Sequence, residues 1–117
     1  MEMNKVFYLE CNLAGRKYCE VDEVWQELFV GTYLTLERDK ENRFDSNAIQ
    51  VIYEDEDTVP YLLGYIPSDC NEDLAKFFDM GWGDIFSCRI SKITPTNHYE
   101  NQIRLSIFIN KKNLGCR

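Results

Sequence analysis

Apolar and polar residues alternate along much of this chain, and the alternation marks out most of its elements before any other property is considered. Residues 5–11, rich in Val, Phe, Tyr and Leu, read as a first strand that ends at turn residues 12–15. Val21, Val24, Trp25 and Leu28 then recur at i, i+3, i+4 and i+7, the spacing of one face of a short helix, which Asp22 is placed to cap and Gly31 to close. Residues 32–38 alternate with period two, with Leu34 and Leu36 on one face and Tyr33, Thr35 and Glu37 on the other. Residues 48–54 repeat the pattern with Ile49, Val51 and Tyr53 on one face, and the polar run 39–47 between these strands is a loop with the ring of Phe44 in it.

After an acidic tip at 54–57, residues 61–66 form another strand, stopped by Pro67, which has no backbone donor. The clearest helix follows. Asp69 and Glu72 have capping-box spacing, Leu74, Phe77 and Phe78 form its apolar stripe, and Gly81 suits the left-handed position past its end. Two long alternating strands, 85–93 and 102–111, complete the chain, with Ile103, Leu105, Ile107 and Ile109 sharing a face. Six short strands and two helices that do not alternate argue against a doubly wound sheet. The expectation is a mainly-β fold, a small six-stranded barrel with one or two short helices, because closure removes the edges that an open sheet would expose. Residues 1–117 read as one domain without internal repeat or linker.

Composition narrows the function. The chain carries 20 acidic against 13 basic residues, a net charge of −7, which argues against a broadly basic duplex-DNA binder and leaves room only for a local basic patch. Apolar content of 44% with seven Phe, seven Tyr and two Trp is that of a folding chain. At this length roughly 65% of the unfolded surface is buried on folding, enough for one core without staples. No window approaches the ~18 uninterrupted apolar residues of a membrane span, and the polar start shows no secretory signal, so a cytoplasmic protein is expected. The five cysteines, at 11, 19, 70, 88 and 116, include no CxxC pair and have only His98 to assist them, which is not a zinc pattern. Scattered thiols fit a reducing compartment, and Cys88, in an alternating strand, reads as core. No cofactor is expected.

Catalytic signatures are lacking as well. There is no GxxxxGK[ST] loop, GxSxG or HExxH, and His98 lies in a polar connection beside Asn97 and Tyr99. The carboxylates at 54–57 lack the spacing and Gly of a calcium loop and read as a solvated hairpin tip. Two loops stand out instead. Gly15-Arg16-Lys17-Tyr18 sets two cations and a ring after the first strand, and 38–47 sets Arg38, Lys40 and Arg43 with Asn42, Phe44 and Asp45 between two others. Basic groups interleaved with rings suit single-stranded nucleic acid, with flat faces for bases and cations for phosphates. The alternative is an ordinary pair of loops in which Tyr18 and Phe44 cover the core.

The wording of the chain goes further. LTLERD at 34–39, NRFDSNAIQV at 42–51, LGYIP at 63–67, Asn71 with Leu74-Ala75, and Gly81 occur in the order of the HIRAN domain, and the resemblance extends from Leu13-Ala14-Gly15 to the final strand. It implies a six-stranded barrel related to the oligonucleotide-binding fold that recognises single-stranded DNA at a free 3′ end, and a link to DNA repair or processing. Larger members fuse this domain to remodelling ATPase, ubiquitin-ligase or nuclease modules that these residues do not include, so a separate helicase or nuclease is the partner protein expected.

Carried over by position, the resemblance puts Lys17 near the terminal phosphates and Tyr18 where a ring stacks; from the basic character of the two loops, Arg16 or Arg43 is expected to add a further phosphate contact. Asn42 and Phe44 match positions lining the terminal base, with Phe44 replacing a common Tyr. Asp45 matches the carboxylate that accepts a hydrogen bond from the 3′-hydroxyl. A hydroxyl donates to a carboxylate, whereas a phosphate there sets like charges together, so continuous strands and 3′-phosphorylated ends are rejected. Cys19 stands where a second aromatic is common, Tyr65 takes the place of a His and Ser68 that of a Lys, departures that reduce phosphate affinity. Asp45, Ser46 and Asn47 are also residue types that tie up loop backbone, so Asp45 and Asn42 have a structural reading beside the binding one. The chain thus reads as a non-catalytic binding module. Its rivals are a protein-interaction module that kept the fold and lost DNA binding, and a small metal-dependent nuclease.

Overall fold

The computed structural model describes residues 4–112, which leaves Cys116 outside the described residues. Alternation becomes six antiparallel strands: β1 (Lys5–Asn12), β2 (Tyr33–Arg38), β3 (Ile49–Glu54), β4 (Pro60–Tyr65), β5 (Phe86–Ile93) and β6 (Ile103–Asn110). They pair in the order β1-β6-β5-β2-β3-β4. Closure into a barrel-like shape depends on the residues just past β1. The Leu13 amide donates to the Ile103 carbonyl at 2.9 Å, continuing the pairing with β6, while Ala14 exchanges bonds of 2.9 and 2.8 Å with Tyr65 at the end of β4. One bridge therefore joins the two ends of the sheet. Gly64 permits it, since a Cβ there would collide with the Ala14 carbonyl oxygen.

The alternating faces give the core expected of them. Leu34, Ile49, Val51, Ile103, Leu105 and Ile107 are buried, and Ile109 is only half-buried near the strand end. Cys11 and Cys88 also belong to the core, where burial pushes the Cys88 thiol up to about 12 and raises Cys11 as well, so both behave as small apolar residues.

Both helices depart from the expectation in detail. The first is a single turn, α1 (Val21–Val24), followed by a 3₁₀ turn at Trp25–Glu27 rather than one continuous helix to Leu28. Asp22 does not cap it: Glu20 precedes the helix, and the Glu20 carboxylate instead accepts from the Leu62 amide at 2.8 Å on the outer edge of β4, while Asp22 pairs with Arg16. The second helix, α2 (Glu72–Asp79), begins after Asn71 with no side-chain cap, so the Asp69/Glu72 box does not form. The Asn71 side chain is turned instead toward the distant Asp45 carboxylate, to which its amide donates. Leu74 and Ala75 face the core, Phe78 is half-buried and Phe77 is 40% exposed, and Gly81 takes the left-handed conformation at φ 88°. The acidic tip is a hairpin end as anticipated, organised by Asp55, whose carboxylate accepts from the amides of Asp57 and Val59. No helix among the described residues is long and apolar enough to cross a membrane.

Candidate nucleic-acid interface

Two loops meet at the end of β4. Residues 13–18 arrive through the Ala14–Tyr65 bridge, and the Tyr65 ring lies 3.6 Å from where a Cβ on Gly15 would stand. Gly15 is left-handed at φ 74°, which starts the 3₁₀ turn Arg16–Tyr18. The other loop, 39–48, feeds β3, whose first residue, Ile49, accepts from the Ile66 amide at 3.0 Å. Tyr65 and Ile66 thus receive the two loops on neighbouring residues.

Within the second loop, sequence-local polar groups build the shape. The Asn42 side-chain oxygen accepts from the amides of Phe44 (2.8 Å) and Asp45 (2.9 Å), and its amide donates to Asp39 (3.3 Å). That folds the backbone under Phe44, whose ring is 97% exposed. One Asp45 oxygen accepts from the Asn47 amide at 2.9 Å, and the other accepts from Asn71 Nδ2 at 2.8 Å. The structural reading of Asn42 and Asp45 is therefore realised. It leaves acceptor capacity, since an ionised carboxylate has about four lone-pair sites.

The cations divide into two kinds. Arg16 is 5% exposed, paired with Asp22 at 2.9 Å and held between the rings of Trp25 (5.1 Å) and Tyr99 (4.7 Å). Its expected place at the phosphates is corrected here: a guanidinium enclosed by two rings and a carboxylate supports the turn and does not face a ligand. Arg38 ties the second loop to α2, donating to the carbonyls of Ser46 (2.7 Å) and Ala48 (3.0 Å) and to Asp79 (2.9 Å). This hydrogen bond holds the Asp79 carboxyl below its ordinary range, and Lys40 adds a contact at 3.6 Å. Lys17 and Arg43 are exposed and have no carboxylate partner among the described residues, with Lys17 Nζ 5.8 Å over the Tyr18 ring.

Tyr18 is 83% exposed, so neither it nor Phe44 covers the core, and the second reading of those rings is removed. No ring contact joins them to each other among the described residues; they stand on separate loops. Cys19 is half-buried and Ser68 exposed. Sequence reasoning has Asn71 among the family motifs but gives it no role, and it misses Asp79 and Tyr99; each of the three acts on a loop far away in sequence. Among the described residues no group of three or more His, Cys, Asp and Glu side chains is placed to hold a metal ion.

A six-stranded barrel-like sheet is what the ordered motifs of the chain lead one to expect, and the HIRAN domain profile matches residues 6–112. The chain belongs to the HIRAN domain family. Among solved structures it is similar to a Lactobacillus plantarum protein, with a TM-score of 0.73 and 21% identity over 92% of this chain and 97% of that one. It is also similar to the HIRAN domain of human HLTF, with a TM-score of 0.56 and 18% identity over 93% of this chain and 82% of that one. At such identities the two structures establish the HIRAN-like fold alone. No curated protein sequence matches at a significant level.

Proposed function

We propose that this HIRAN domain binds single-stranded DNA at a free 3′-hydroxyl end and performs no chemistry of its own. The family is associated with DNA binding, and the observation that carries the finer reading is the exposure of two unpacked rings, Tyr18 at 83% and Phe44 at 97%, on loops that converge on Tyr65 and Ile66. Large apolar rings left in water have a use when bases stack on them. Lys17 and Arg43 supply the phosphate contacts and Asp45 accepts from the terminal hydroxyl, while Asn42 shapes the loop that carries Phe44. A captured end suits work beside a helicase or nuclease in DNA repair or processing.

Stacking contributes about 1–3 kcal/mol per base, so two rings and two ion contacts correspond to micromolar affinity. Two neutralised phosphates give a log-log salt slope of about −1.4. Fluorescence anisotropy with a short strand ending in a 3′-hydroxyl, against the same strand ending in 3′-phosphate, tests the reading. Preference for the hydroxyl is expected, and equal binding of the two refutes it.

One observation favours a protein-interaction module instead. Tyr8, Phe77, Met80 and Trp82 line an apolar cleft of about 530 Å³ between β1 and α2, with Met80 75% exposed. A negative DNA titration together with co-purification of a helicase or nuclease subunit decides for that rival, and cleavage that a chelator abolishes in a gel assay decides for a nuclease.

A further inference from the structure

The outer face of the β1-β6-β5-β2 sheet has a composition unlike the rest of the chain. Register places Phe7 beside Phe108 and Ser87 in one row, Glu10 beside Ser106, Arg89 and Tyr33 in the next, and Asn12 beside Arg104 and Lys92 in a third, with Lys5 at the near corner. These residues alternate with the buried Leu34, Cys88, Ile90, Leu105 and Ile107, so they stand on the solvent side. Two of the rings are largely bare, Phe7 at 59% and Tyr33 at 62% exposure.

Charge on this face opposes that of the molecule. Lys5, Arg89, Lys92 and Arg104 stand against Glu10 and Glu37, four positive groups against two negative on a chain whose net charge is −7. Glu10 is already neutralised by Arg104 at 3.2 Å, while Lys5, Arg89 and Lys92 have no carboxylate partner among the described residues. Lys5 and Arg89 rest instead on the Phe108 ring, at 4.9 and 4.8 Å from its centroid, which holds their charge at the level of the rings.

We propose that this sheet face is a second contact surface for single-stranded nucleic acid, engaging internal nucleotides by stacking on Phe7 and Tyr33 and holding their phosphates with Lys5, Arg89 and Lys92. Phe7 and Tyr33 are three strand spacings and one row of the sheet apart, roughly 16 Å, which two or three nucleotides span. Aromatic rings interleaved with cations on an exposed sheet match a stacking platform, whereas an acidic peptide would need the cations but not the flat faces. The surface recognises no strand end, so it is independent of the Asp45 reading.

The test uses a short oligothymidylate ending in 3′-phosphate, which the Asp45 site should refuse. Titrated into isotopically labelled protein, it is expected to shift the amides of Phe7, Tyr33, Arg89 and Ser106. Shifts confined to Lys17, Tyr18 and residues 42–45, or no shift at all, overturn the sheet-face proposal. Equal shifts with polyglutamate at matched charge also overturn it, since they would show anion attraction without base stacking. Arg89→Gln combined with Lys92→Gln is expected to flatten the salt slope by about 1.4, and Phe7→Ala to weaken binding about tenfold, with thermal unfolding reporting that each variant folds. If these variants weaken 3′-hydroxyl and 3′-phosphate strands alike while Asp45→Ala changes neither, the sheet face stands and the strand-end reading falls.

Discussion

Asn71 and Asp45 lie 26 residues apart and are joined by a 2.8 Å hydrogen bond from the Asn71 side-chain amide to the Asp45 carboxylate. Asn71 is completely buried and its own side-chain oxygen has no hydrogen-bond partner among the described residues, so its position is determined by the bond it donates. It ties the start of α2 to the loop that presents Phe44. Asn71→Ala should cost about 1–3 kcal/mol in urea unfolding and weaken the preference for a 3′-hydroxyl. Asn71→Asp should be worse at pH 7, because it sets one carboxylate against another, and should recover part of the loss at pH 5 as one of the pair takes up a proton. Identical stability of the Asp variant at both pH values would show that the two side chains do not meet.

Arg16 predicts an asymmetry within one ion pair. Its guanidinium is buried between Trp25 and Tyr99, while the Asp22 side chain is 76% exposed. Arg16→Ala removes ring contacts and packing and should cost about 1–2 kcal/mol. Asp22→Ala lets water take the place of the carboxylate and should cost less than about 1 kcal/mol. Denaturant midpoints of the two variants check the order, and a larger loss for Asp22 contradicts it.

Gly64→Ala addresses the bridge that joins the sheet ends. The added methyl meets a backbone oxygen, which cannot swing aside, so a loss of about 1–3 kcal/mol is expected. Faster amide exchange should be concentrated at Ala14 and Tyr65, whose mutual bonds must part to admit it. Unchanged exchange at those two amides would mean that the strain is relieved elsewhere.

Acid should release the second loop before the core melts. Arg38 lowers the Asp79 carboxyl below its ordinary 3.8, so the contribution of this pair is complete above 3.8 and disappears as pH falls through the lowered value. Amide shifts of Ser46 and Ala48 followed from pH 6 downward should move with a midpoint below 3.8. Asp79→Asn should show the displaced positions already at pH 6. A midpoint at or above 3.8 would remove Arg38 as the cause.

The strands were legible because a half-buried strand writes its own period. Leu34, Val51 and Leu105 point inward for a reason that can be counted along the chain. The turn after α2 was legible too, since Gly81 must supply a left-handed backbone. Capping was misread at both helices, and the cause is the same each time. Asp22 pairs with Arg16, and the residues found at the cap positions, Glu20 and Asn71, turn their side chains to the Leu62 amide and to Asp45, partners that only the folded chain brings near.

For the candidate interface, ordered motifs identified the loops and the family, and local polar types explained how Asn42 and Asp45 shape one of them. Which cations remain available was decided by the tertiary structure. Arg16, Arg38 and Lys40 look like Lys17 and Arg43 in one dimension, yet the first three are committed to Asp22 and Asp79. The same holds for the sheet face: Phe7, Tyr33 and Arg89 are unremarkable members of three alternating strands until pairing lays those strands side by side. Periodicity along a chain determines which way a side chain points, because it follows from backbone geometry alone. Which other side chain it meets depends on how the strands pair and where the chain returns.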